Sequence, residues 1–154
     1  MGVMIEGVFL HPLKQVKVCK GDLWHVFKST DVGYKEFGEV YLTQIESGKI
    51  KGWKCHCRYI LNLVVVYGKV KFVVYDSRDD SLTKGQYQEI ILSPDENYQR
   101  LTIFPNLWMA FMGVNDGISM VLDLIPEIHD PTEALKADLD CFPYSFSKTV
   151  TIKD

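Results

Sequence analysis

Two groups able to take up or hold a proton, Lys54 and His56, stand two residues apart within residues 48–58, Gly-Lys-Ile-Lys-Gly-Trp-Lys-Cys-His-Cys-Arg. Side chains alternate faces along a β-strand, so a strand here turns both the same way. Their surroundings are apolar: a strand over residues 59–66, a Tyr67-Gly68-Lys69 turn and a further strand over 69–76. Such a basic pair is expected to face a cavity. A buried ammonium is costly without a partner. Lys54 therefore reads either as a general base or as a fixed cation paired with Asp123 or with an anionic ligand group. His56 reads as a base, as a hydrogen-bond partner for a ligand, or as a satisfied core histidine. Asp123, within the apolar run 118–124, is the acid of a pair with Lys54 or only its neutraliser. Trp108 could stack on a ring of the ligand or pack in the core.

The elements that position these residues are almost all strands. Period-two patterning predicts strands over residues 3–10, 13–18, 23–28, 39–44, 50–57, 59–66, 69–76, 87–92, 100–104, 108–113 and 117–125. Turn-forming clusters at 20–22, 46–48, 93–97 and 114–117 separate them. One short helix is expected over 131–137, with Asp130 as N-cap and Pro131 in the first turn. Many short strands imply an all-β sandwich or jelly roll. The expected core comprises Val64, Val66, Val70, Phe72, Val74, Ile91, Ile103, Phe111, Met120 and Leu122. The run 59–66 is apolar on both faces and suits a strand buried between a barrel interior and a partner subunit, which predicts a homodimer.

The chain has 154 residues, 47% of them hydrophobic, and a net charge of -3. Length and composition predict one folded domain over 1–154. Scattered basic residues argue against nucleic acid as a partner. No apolar run is long enough for a membrane span and no secretory signal is visible, so a cytoplasmic protein with reduced cysteines is expected. Cys55-His56-Cys57 puts two thiols on one strand face and the imidazole on the other, so one ion cannot collect all three without a bulge.

From about residue 6 to 146 the chain resembles the dTDP-4-dehydrorhamnose 3,5-epimerase family of cupins. The resemblance rests on Ile50-Lys-Gly-Trp53, Val64-Val-Val-Tyr-Gly-Lys-Val70, Val74-Tyr-Asp-Ser-Arg78, Gln88-Glu-Ile-Ile-Leu92 and Ile103-Phe-Pro-Asn106 ahead of Phe111. It is strongest to a subgroup with a His-x-His pair on the strand equivalent to 50–57. It implies an all-β cupin-type jelly roll (a double-stranded β-helix) with a short C-terminal helical segment. It also implies an isomerase-like protein that acts on or binds a dTDP-type 4-keto-6-deoxy sugar in surface polysaccharide biosynthesis. The family's catalytic His falls on Lys54, its Tyr proton donor near Asp123, a second His on Met109, a Lys near Leu61, and two Arg on Lys20 and Lys51. Lys54, His56 and Asp123 are thus the candidate catalytic set. Lys20, Lys51, Arg58 and Trp108 are the candidate substrate-binding set. Of the cupin metal ligands only His56 remains, so no metal or other cofactor is expected. The alternative is a catalytically inactive sugar-nucleotide-binding or structural cupin that lost the base.

Overall fold

A computed structural model describes residues 2–146. Twelve strands follow in order: β1 (Val8–Pro12), β2 (Gln15–Val16), β3 (Leu23–Trp24), β4 (Glu39–Glu46), β5 (Ile50–His56), β6 (Leu61–Tyr67), β7 (Val70–Tyr75), β8 (Tyr87–Leu92), β9 (Gln99–Ile103), β10 (Trp108–Gly113), β11 (Ile118–Ile125) and β12 (Ala134–Lys136). Two five-stranded antiparallel sheets run β1-β9-β6-β11-β4 and β12-β5-β10-β7-β8, and β2 and β3 form a separate hairpin. This is a jelly roll. No helix among the described residues is long and apolar enough to cross a membrane.

The interior follows from alternation. Leu61, Leu63 and Val65 of β6, Val70, Phe72 and Val74 of β7, Ile90 and Leu92 of β8, and Leu101 and Ile103 of β9 share one buried cluster. Gly68 makes the β6–β7 turn possible. It has φ +78°, and a Cβ there would lie 2.3 Å from Ser119 Oγ. A second apolar layer covers the outer face of β5, β7 and β10. There Trp53, Val73, Ala110 and Met112 pack beneath Phe142, Tyr144 and Phe146.

The structure corrects four sequence expectations. Met120 and Leu122 lie on the outer face of β11, because Ser119, Val121, Asp123 and Ile125 take its inward positions. Ile91 is 40% exposed, because Ile90 and Leu92 take the inward positions of β8. Val66 is 36% exposed; β11 pairs Val121 with Val65 and Met120 with Tyr67, so Val66 is an extra residue in a bulge. Residues 131–137 are not a helix. Asp130 does cap a turn, accepting from Thr132 N at 2.9 Å. Residues 134–136 then pair with Lys54–His56 on the open edge of β5. Edge hydrogen bonds there replace those of a helix. Among the described residues the C-terminal helical segment includes the 3-10 turn Leu139–Cys141.

The two inward phases are testable by denaturant unfolding. Phe72→Ala should lose about 3–5 kcal/mol of stability, and Ile91→Ala less than about 1 kcal/mol. Equal losses would contradict the assigned face of β8.

Candidate active site

A bulge in β5 creates the basic wall of the site. Met109 pairs with Lys54 and Phe111 with Lys51, so three steps along β5 match two along β10. The extra residue shifts the alternation. Lys51 therefore turns to the same barrel face as Lys54 and His56, and Trp53 turns outward. With Tyr41 and Thr43 of β4, Leu61 and Leu63 of β6, Met109 and Phe111 of β10, and Val121 and Asp123 of β11, these residues line a cavity of about 210 Å³. Lys51, Lys54, His56 and Asp123 thus come together, along with Leu61 and Met109.

His56 is held by a group that sequence reasoning missed. Its Nδ1 lies 2.6 Å from Glu133 Oε2, with the two side chains 8% and 0% exposed. The other carboxylate oxygen accepts the backbone N–H of Arg58 at 2.6 Å and of Tyr59 at 3.0 Å. Burial pushes the Glu133 carboxyl up, but the Arg58 N–H, the His56 ring and the Tyr59 N–H outweigh it and hold the group below its ordinary value. Burial lowers His56, and Glu133 only partly opposes this. The pair at neutral pH is a carboxylate and a neutral imidazole. Nδ1–H donates to Glu133 and the Nε2 lone pair is left available. The Tyr59 ring stacks against the imidazole at 5.5 Å.

Asp123 projects from the opposite sheet. Burial raises its carboxyl to about 7, against the opposing effects of the Tyr41 hydrogen bond, the Lys54 charge and the Asn62 backbone. Tyr41 sits opposite it in the β4–β11 register, and its hydroxyl donates to Asp123 Oδ2 at 3.1 Å. Burial and Asp123 together push that hydroxyl well above its ordinary range. Among the described residues Oδ1, also buried, makes no hydrogen bond of good geometry. The expected Lys54–Asp123 ion pair is replaced by a phenol–carboxyl hydrogen bond, and protonation removes the charge that burial penalises.

Three candidates lie elsewhere. Trp108 is on the outer face of β10, against Phe142 at 5.2 Å, with its indole N–H donating to Ser77 Oγ. Since Met109 and Phe111 point inward, Trp108 cannot. Arg58 lies just past β5 and pairs with Glu127 at 2.8 Å on the surface. Lys20 is in the exposed turn between β2 and β3. Neither Arg58 nor Lys20 lines the cavity. Tyr41 could have been found as an inward position of β4. Glu133 had no such signal, because its segment read as a helix.

No family model matches the chain. The chain is similar to the probable low-salt glycan biosynthesis epimerase Agl13 of Haloferax volcanii, at 26% identity over 113 residues, 72% of each chain. It is similar in structure to a dTDP sugar isomerase from Desulfovibrio desulfuricans G20. That match has a TM-score of 0.90 and 27% identity, covering 95% of this chain and 94% of the other. A dTDP-4-dehydrorhamnose 3,5-epimerase from Bacillus anthracis shares the fold at a TM-score of 0.77 and 17% identity, covering 90% and 86%. The fold is that of the dTDP-4-dehydrorhamnose 3,5-epimerase-like cupins, and the solved structures that share it include dTDP-sugar isomerases and epimerases.

The buried acid makes stability depend on pH. Its folded pKa, about 7, lies above its ordinary value of 3.8. Its contribution is complete below the lower value and is lost as pH rises through the upper one. Asp123→Asn lacks this titration. The stability of wild type relative to Asp123→Asn should fall between these two pH values, measured by urea unfolding. A difference independent of pH would show that Asp123 is ionised throughout.

Proposed function

We propose that the protein binds a nucleotide-linked 4-keto-6-deoxy sugar with the sugar ring in the barrel cavity, and that it relocates a proton on a carbon beside the carbonyl. The buried His56–Glu133 pair, facing a partly protonated Asp123 from the opposite sheet, carries this reading. His56 Nε2 takes the proton from carbon, and the electron pair moves onto the carbonyl oxygen. The Lys54 ammonium stabilises the resulting enolate. Asp123, hydrogen-bonded to Tyr41, returns a proton to carbon. An acid near pH 7 and a neutral imidazole suit this exchange. The cavity accommodates one sugar ring, which leaves the nucleotide outside it, and exposed Lys51 is placed to meet its phosphates. The dTDP-sugar isomerases and epimerases similar to this chain support the substrate class, and the glycan biosynthesis epimerase supports a role in polysaccharide assembly.

The test is incubation with a panel of dTDP-4-keto-6-deoxy sugars in deuterium oxide. Mass spectrometry should show deuterium on carbon, and His56→Asn should slow incorporation about 10²–10⁴-fold while dTDP still binds. Thermal stabilisation by these sugars without any incorporation would favour the inactive binding protein instead.

A homodimer belongs to the same proposal. On the outer face of the β1-containing sheet, Val40 and Leu42 of β4 are 45% and 53% exposed, opposite half-buried Leu124 and Leu122 of β11. Tyr67 of β6, 58% exposed and opposite Met120, continues this apolar band. Such a band beside the edge strand β4 is suited to a second copy. Sedimentation velocity at micromolar concentration should show a dimer, and Leu42→Arg a folded monomer. A monomeric wild type would contradict this.

A further inference from the structure

Outside the barrel, a cleft of about 470 Å³ runs between β1 and the segment that follows β3. His11, Lys14, His25, Lys28, Asp31 and Arg100 supply its polar groups, with Val26 and Phe27 on its apolar wall. Arg100 is 2% exposed. Its guanidinium donates to Asn62 Oδ1 at 3.2 Å and Val32 O at 2.8 Å, lies 3.5 Å from Asp31, and rests on the Phe27 ring at 4.3 Å. This fixes a buried cation in place. Lys28 also pairs with Asp31, at 2.5 Å. Arg100, Lys14 and Lys28 thus share the cleft with the one carboxylate of Asp31, an excess of two positive charges before either histidine is counted.

The register sharpens the point. β1 pairs with β9 so that His11 stands directly opposite Arg100. Two basic groups so placed repel when both are charged. His11 is lowered by burial first and then by Arg100. Its Nε2 is shut from solvent and has no hydrogen-bond partner among the described residues. A bound anion would offset the excess positive charge of the cleft and relieve the repulsion between His11 and Arg100.

We infer that this cleft is a second ligand site, separate from the barrel cavity, that takes the dianionic phosphoryl group of a phosphate monoester. Phosphoryl oxygens accept from Lys14 and Lys28 beside the partly exposed His11 ring, and the ester group lies along Val26 and Phe27. The inference does not depend on the proposed reaction, because none of these residues lines the barrel cavity.

The test follows the His11 ring by NMR, assigned through His11→Gln, during titration with phenyl phosphate, inorganic phosphate or sodium chloride at matched ionic strength. Phenyl phosphate should raise the pH midpoint of His11 and bind more tightly than inorganic phosphate. The surface double variant Lys14→Gln/Lys28→Gln should weaken that binding at least tenfold. A His11 response no larger than that to chloride overturns the site, as does unchanged affinity in the double variant. Phenyl phosphate binding no tighter than inorganic phosphate overturns the assignment to an ester.

Discussion

The Glu133 carboxylate is the point on which the site depends. It is fully buried and reaches three donors: two backbone N–H groups where the chain leaves β5, and the His56 ring. A buried charge is tolerated only when its hydrogen bonds are made. The turn at Arg58–Tyr59, the attachment of β12 to the edge of β5 and the orientation of His56 are therefore fixed together. Loss of any one would leave the carboxylate short of a donor. Because Nδ1 is committed, Nε2 is the nitrogen that chemistry can use.

The two sheets give the cavity opposite characters. β5 contributes Lys51, Lys54 and His56, brought into one phase by its bulge. β4 and β11 contribute Tyr41 and Asp123, one hydrogen bond apart. The filling between them is aliphatic and aromatic, so charge inside is expensive. Asp123 meets that constraint by staying protonated up to about pH 7. The same apolar packing that stabilises the jelly roll thus produces an acid suited to neutral pH.

Strand alternation in the sequence was enough to find β6, β7 and β11 as strands and to put Lys54 and His56 on one face, but not to choose the inward face of β6 and β11. It could not supply phase where pairing is irregular. Local sequence does not show the bulge that turns Lys51 inward, since that bulge exists only against β10. Trp108 was read as a wall of the pocket, but its direction is set by its neighbour Met109 facing the barrel. Asp130-Pro131 carries the local marks of a helix start, yet an unpaired edge of β5 recruits the residues that follow. Glu133 was hidden for the same reason. The Tyr41 contact depends on a register between residues 82 apart in sequence, which no local pattern encodes.

The central claim is that His56 is a neutral base whose Nδ1–H is held by Glu133. Nitrogen-15 NMR of the imidazole at neutral pH tests it most directly. Nδ1 should be protonated and Nε2 unprotonated, with Nε2 becoming protonated in Glu133→Gln or the tautomers mixing. A wild-type ring already protonated on Nε2, or indifferent to Glu133→Gln, would contradict it.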